Sequence, residues 1–208
     1  AEHLSKIGQL ASGMAHEIKN PLNFINLTID HLRTECKPVD SSKKAEFEEL
    51  ALNIKAEIAR LNRLLGSFLD YGKPIRLDIQ TASLEDIIKE AISIADYKIR
   101  EQKVKLSMDF AKNMPLLNLD KEQIKACIMN VVSNAIQAMP SGGRLFVRAS
   151  VSGGFVSLRI KDTGEGIKKE DIDKVFNPYF TTKTAGIGLG LSITKRIIEE
   201  HNGRIDIE

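Results

Sequence analysis

Apolar residues recur at helical spacing through the first third of the chain. Phe47, Ala51, Ile54, Ile58, Leu61, Leu65 and Phe68 follow alternating steps of four and three. That is an unbroken heptad seam, and it requires helical partners along its length. A looser row, Leu4, Ile7, Ala11, Met14, Ile18, Ile25 and Leu32, precedes it. Between the two rows, Pro38 and the cluster Asp40-Ser41-Ser42 interrupt the period and predict a turn. Residues 3–70 therefore read as an antiparallel helical hairpin. Two helices cannot cover the whole seam, so two hairpins are expected to pair into a four-helix bundle.

Tyr71-Gly72-Lys73-Pro74 closes the second helix, with Gly just past its end and Pro shortly after. Mixed patterning follows. Arg76–Gln80 alternates as a strand, and Ser83-Leu84-Glu85-Asp86 starts a helix over about 84–102. Val104–Phe110 alternates again, and Asp120 caps a helix running to about Ala138. Strands are expected near 144–151 and 155–162, a helix at about 189–201, and a last strand from Arg204. The expected fold is an α + α/β sandwich, with helices and strands segregated rather than alternating.

Composition narrows the function classes. No apolar run approaches the roughly 18 residues of a bilayer span, so no membrane contact is expected within these residues. Thirty Lys+Arg stand against 28 Asp+Glu, giving +2, without a basic stripe. Aromatics are 5% with no Trp, so neither nucleic-acid backbone binding nor base stacking is expected. Two Cys make no disulfide framework and suit a reducing cytoplasm. The start at Ala1-Glu2-His3 has neither Met nor a signal region, and reads as a piece of something longer.

The candidate chemistry lies in glycines, amides and one histidine. Neither the P-loop nor the G-x-G-x-x-G pattern occurs. Instead Asp162-Thr163-Gly164-Glu165-Gly166 follows a strand, and Gly186-Ile187-Gly188-Leu189-Gly190 opens a helix. Glycines admit close backbone approach, a helix N-terminus favours phosphate, and an Asp at a strand end can accept from an exocyclic amine. Each motif alone is also compatible with an ordinary turn. Asn130 and Asn134 share one helix face. They read either as the polar wall of a pocket, with amide oxygens suited to Mg²⁺, or as solvated or packing amides. Of four histidines, His3, His31 and His201 read as surface or satisfied residues. With Ala11, Met14, Ile18 and Ile25 facing the bundle, His16 falls on the outward face. An exposed imidazole is largely neutral at pH 7 and nucleophilic. Glu17 follows it as a proton acceptor, Asn20 lies one turn on, and Pro21 loosens the helix there.

Together these motifs resemble the two-component sensor histidine kinases. His16-Glu17-Ile18-Lys19-Asn20-Pro21 is similar to their H box, in its nitrogen-regulator-type form. Asn130–Ala138 is similar to the N box, Asp162–Gly166 to the G1 box, Phe176–Phe180 to the F box and Gly186–Gly190 to the G2 box. The resemblance implies a dimerisation and histidine-phosphotransfer hairpin over 1–72, a linker at 73–76, and a Bergerat-fold ATP-binding domain over 77–208. Its final strand is expected to be truncated. The resemblance also implies Mg²⁺–ATP-dependent autophosphorylation of His16, with Glu17 as acid–base partner and Asn20 orienting water in dephosphorylation. Transfer then goes to an aspartate in the receiver domain of a response regulator. Asp162 would meet adenine. Asn134 and Asn130 would meet the metal. Gly164, Gly166, Gly186, Gly188 and Gly190 would line the nucleotide. Lys183, in a mobile lid over 177–187, would be the phosphate cation. Ile187 stands where many members carry Thr or Ser, which predicts altered lid packing. The implied location is cytoplasmic, with the full-length protein membrane-anchored by an N-terminal region absent from this sequence. The competing readings are an ATP-driven conformational protein of the same fold, and a dimeric scaffold acting mainly as a phosphatase.

Overall fold

The computed structural model describes residues 2–35, 38, 41–72, 75–183 and 186–208, and within the long helices the side chains of 18–35, 43–62 and 65–66. The chain divides into two compact units, Ala1–Pro74 and Ile75–Glu208.

The first unit is a pair of helices, α1 (Glu2–Glu35) and α2 (Ser41–Gly72), packed on each other. Pro21 sits inside α1 without ending it. Leu22 of α1 and Ala51 and Ile58 of α2 are buried between the helices. Ion pairs Arg33–Glu48 (2.9 Å) and Lys55–Asp30 (2.5 Å) flank that seam. Ile18 and Ile25, expected to face inward, are exposed to 44% and 43%. Within one hairpin, the row of α1 that meets α2 therefore passes through Leu22, and Ile18 and Ile25 remain uncovered. On α2, Ile54 and Leu61 are likewise exposed, at 43% and 40%. The heptad seam is thus two rows: Ala51 and Ile58 close the hairpin, and Ile54 and Leu61 remain uncovered. Leu4, Ile7, Ala11, Met14 and Phe68 of the expected seams, and most of the turn at 37–42, lie outside the described residues and side chains.

The second unit begins with β1 (Gln80–Ala82), paired antiparallel with β3 (Leu117–Leu119). A strand was expected at 76–80. Ladder pairing starts only at Gln80, because the Asp78 N–H donates instead to the Asp120 carboxylate at 2.9 Å. The second sheet has the order β2 (Val104–Phe110), β4 (Gly143–Ser152), β5 (Phe155–Asp162). β4 and β5 form a hairpin, and β2 lies parallel to β4. Strand and helix alternate along the chain as β1–α3–β2 and again across α4 (Lys121–Gln137), but within the three-stranded sheet the one parallel pair, β2 and β4, is joined through α4. Leu145, Val147 and Ala149 alternate inward along β4 and meet Ile87, Ile88 and Ala91 of α3 (Leu84–Glu101) and Ile128, Val132 and Ile136 of α4 in one core. Ser83 Oγ and Asp120 Oδ1 accept from Asp86 N and Gln123 N, so both expected helix caps form.

A short 3₁₀ turn, Lys169–Lys174, precedes the last helix, α5 (Gly190–Glu200). His201 closes α5: its Nδ1 lies 2.7 Å from Ile197 O and its Nε2 accepts from Asp120 N at 2.9 Å. It is a satisfied structural histidine, held as the Nδ1–H tautomer by these partners. Residues 204–208, expected to start a strand, form none. Arg204 pairs with Asp206 at 2.6 Å and Glu208 with Arg159 at 3.1 Å. Ile205 instead lines an apolar trough of about 730 Å³ with Leu119, Ile124, Leu158 and Ile198.

Candidate nucleotide and phosphoacceptor sites

The C-terminal end of α4, the end of β5 and the start of α5 meet in the second unit. Asp162 ends β5, and its Oδ1 accepts from Gly164 N at 2.8 Å, closing the turn and leaving Oδ2 for another donor. The turn is pressed against the end of α4. Glu165 N donates to Ala138 O at 3.3 Å, and a β-carbon on Gly164 would stand 2.5 Å from that same oxygen. Only Gly fits there. Thr163 Oγ1 accepts from Arg144 N at 3.0 Å, tying the turn to β4 as well. Gly166 follows with a positive φ and open space around it.

Asn130 and Asn134 lie on one face of α4, and their amides do different things. Asn130 Nδ2 donates to the buried Thr194 Oγ1 of α5 at 3.0 Å, and its Oδ1 abuts Gly190. Asn134 Oδ1 accepts from Lys183 Nζ at 2.9 Å, and Gln137 Oε1, one turn further, accepts from the same ammonium at 2.7 Å. Partial enclosure pushes Lys183 below the usual lysine range, opposed by the nearby Glu165 carboxylate. Sequence reasoning singled out Lys183 but missed Gln137, whose position seven residues after Asn130 was the available signal.

Gly186, Gly188 and Gly190 lead into the N-terminus of α5, where free N–H groups favour an anion. Gly188 has φ +71° and lies so close to Phe180 O that a β-carbon would stand 2.5 Å away. Phe176 is held under the Lys195 ammonium of α5, 5.5 Å from the ring centre. Ile187 is partly buried. Of the expected lid, residues 184–185 lie outside the described residues.

In the first unit, His16, Glu17 and Asn20 are brought onto one helix, α1. Asn20 is exposed, whereas the side chains of His16 and Glu17 lie outside the described ones. Among the described residues no three His, Cys, Asp or Glu side chains converge to hold a metal. The donor set on α4 is amide oxygen. It suits a hard cation that keeps most of its waters and arrives with phosphate oxygens.

Comparison with known proteins decides the family. The model described as "Histidine kinase-, DNA gyrase B-, and HSP90-like ATPase" matches residues 119–208, and that described as "His Kinase A (phospho-acceptor) domain" matches residues 6–75. The solved catalytic domain of histidine kinase ThkA is 31% identical, with a TM-score of 0.56, over 60% of this chain and 82% of that one. The chain belongs to the sensor histidine kinases. Over 206 residues this histidine kinase is 34% identical to sensor histidine kinase ZraS of Escherichia coli (strain K12), covering 99% of this chain and 43% of that protein. It is 36% identical to sporulation kinase D of Bacillus subtilis (strain 168), covering 100% of this chain and 40% of that one. It thus spans less than half the length of these curated relatives. The structure of ThkA in complex with the response regulator protein TrrA matches 97% of this histidine kinase and 57% of that chain, with a TM-score of 0.67 and 28% identity.

Proposed function

We propose that this chain is the catalytic core of a sensor histidine kinase that phosphorylates His16 from ATP. The observation that carries the reading is the docking of the Asp162 turn onto the end of α4. It sets a free carboxylate oxygen beside the helix that bears Asn130 and Asn134. Asp162 Oδ2 accepts from the adenine amine, and the backbone N–H groups opening α5 receive the phosphates. Asn134 and Asn130 would hold Mg²⁺ through their amide oxygens, and Lys183 would exchange its amide partners for a phosphate oxygen. When bound, the divalent cation supplies charge neutralisation across the phosphates.

In the transfer step a ring nitrogen of His16 forms a bond to the γ-phosphorus while the bond from that phosphorus to the β–γ bridging oxygen breaks. ADP leaves with the electron pair, and Glu17 takes the proton from the other ring nitrogen. A carboxylate oxygen of an aspartate on a response regulator then forms a bond to phosphorus as the nitrogen–phosphorus bond breaks. ThkA has been solved with such a partner. Asn20, exposed one turn from His16, orients the water that hydrolyses the aspartyl phosphate. The uncovered Ile54 and Leu61 support a homodimer through residues 3–70. No helix among the described residues is long and apolar enough to cross a membrane. We place these domains in the cytoplasm, with any membrane anchor outside this sequence. An ATP-driven conformational protein of the same fold has no need of His16-Glu17 on such a hairpin.

The test is incorporation of acid-labile ³²P from γ-labelled ATP. Wild type takes up label at His16, whereas His16→Gln takes up none and still binds nucleotide. Label that persists in the variant, or is acid-stable, refutes the assignment.

A further inference from the structure

We infer that Thr194 is the positioning residue that fixes which end of the Asn130 amide faces the nucleotide. The two ends of a carboxamide are nearly equal in shape, so only hydrogen bonding distinguishes them. Only the oxygen can ligate a divalent cation. The Asn130 Nδ2 group donates to Thr194 Oγ1 at 3.0 Å, across the contact between α4 and α5. Thr194 is 3% exposed, and its neighbours around the trough include Cys127, Ile128 and Ile198. Packing alone would favour valine at such a site, because a buried hydroxyl costs free energy unless it is used. In a helix the threonine hydroxyl hydrogen has a carbonyl one turn back within reach, leaving the oxygen to accept from an incoming donor.

The opposite end of the amide is set by exclusion. Asn130 Oδ1 sits where a side chain at position 190 would begin, so Gly190 leaves room for it. Gly190 is the first residue of α5, and Thr194 lies one turn further along the same helix. One helix thus takes the donor end of the amide with a hydroxyl and turns its acceptor end toward the helix N-terminus. That N-terminus is the element suited to phosphate. Without the hydroxyl the amide is free to turn over and present N–H groups where the cation needs an oxygen.

The inference rests on the reading that Asn130 faces Mg²⁺–ATP, and the experiment separates the two. ATP affinity is measured on the whole chain with and without Mg²⁺ for Thr194→Val, Thr194→Ser, Asn130→Ala and the double variant Asn130→Ala/Thr194→Val. Thr194→Val is expected to weaken Mg²⁺–ATP about tenfold, the scale of a hydrogen bond to a liganding group, and metal-free ATP less than about twofold. Thr194→Ser, which keeps the oxygen, is expected to stay within about twofold of wild type. In the Asn130→Ala background Thr194→Val should add nothing. If Asn130→Ala weakens Mg²⁺–ATP and Thr194→Val does not, the positioning role falls alone. It also falls if Thr194→Val weakens binding equally in both backgrounds, since that is a packing effect. If Asn130→Ala binds Mg²⁺–ATP as wild type does, the reading of the site falls and takes this inference with it. Should Thr194→Val not fold, Thr194→Cys, a poor acceptor of similar size, carries the same expectations.

Discussion

Truncating Ile54 and Leu61 to Ala should separate subunits without unfolding the hairpin. The two side chains are 43% and 40% exposed, whereas Ile58, between them in the same seam, is 6% exposed. Full burial of such a side chain is worth about 1.5–3 kcal/mol, so the uncovered share of each is worth about 0.6–1.2 kcal/mol. A two-fold dimer covers four of them, and alanine keeps a small part. The loss is then about 2–4 kcal/mol, or roughly 30- to 1000-fold in the dimer dissociation constant. Sedimentation velocity over a dilution series reads the constant, and far-ultraviolet circular dichroism reads helix content in the same samples. Ile58→Ala is the internal comparison. It removes a side chain already enclosed by its own hairpin and should cost about 2–5 kcal/mol in folding, seen as lost helicity and lower Tm. The reasoning is refuted if wild type stays monomeric at high micromolar concentration. It is also refuted if Ile54→Ala/Leu61→Ala dimerises as wild type does, or if Ile58→Ala weakens the dimer with helicity intact.

Asp162→Asn should weaken ATP binding about tenfold or more with Tm unchanged, because an amide oxygen can keep the bond from Gly164 N while its nitrogen presents donors to adenine. Calorimetric titration with ATP checks it, and unchanged affinity would count against Asp162 as the adenine contact. The Asp120 carboxyl lies below the usual carboxylate range: burial raises it, but hydrogen bonds from the backbone N–H groups of Gln123, Asp78 and Glu122 outweigh burial. Its contribution to stability is therefore present above the unfolded value near 4 and is lost as pH falls through the lower folded value. Asp120→Asn, which keeps a cap, should flatten the acid limb of a denaturant-midpoint profile, and an unchanged limb would refute this. Asp120→Ala should also cost about 0.5–2 kcal/mol at pH 7, measured by urea unfolding.

The long helices were legible because their side chains announce themselves locally. Ser83 and Asp120 cap where the sequence says they should, and Val104–Phe110 alternates as a strand does. The seam of α2 was legible as a seam but not as two rows, since a heptad repeat marks apolar positions without saying which partner covers each. β1 and β3 are three residues each, too short for a period to show. The expected strand at 76–80 failed through a long-range competitor, a carboxylate 42 residues away that takes a backbone N–H. In the site, Asp162 stood out as an acid at a strand end opening a glycine-containing turn, and the two asparagines as polar groups amid Ile128, Val131, Val132 and Ile136. Thr194 and Gln137 did not, because their partners Asn130 and Lys183 are 64 and 46 residues distant.

The contact between Gly164 and Ala138 bears on how a ligand of the proposed nucleotide site could be selective. It joins the main chain of the turn to the carbonyl and the methyl group of Ala138, so no long side chain that could swing aside takes part in it. A compound resting there meets a floor whose shape depends on chain geometry rather than on residue identity, and relatives with the same turn will present nearly the same floor. Across the site, Lys183 and Gln137 form a wall of long side chains joined by one hydrogen bond. A group reaching that wall must displace the ammonium, and its affinity will follow the particular residues this chain carries. Potency would be sought against the floor and discrimination against the wall.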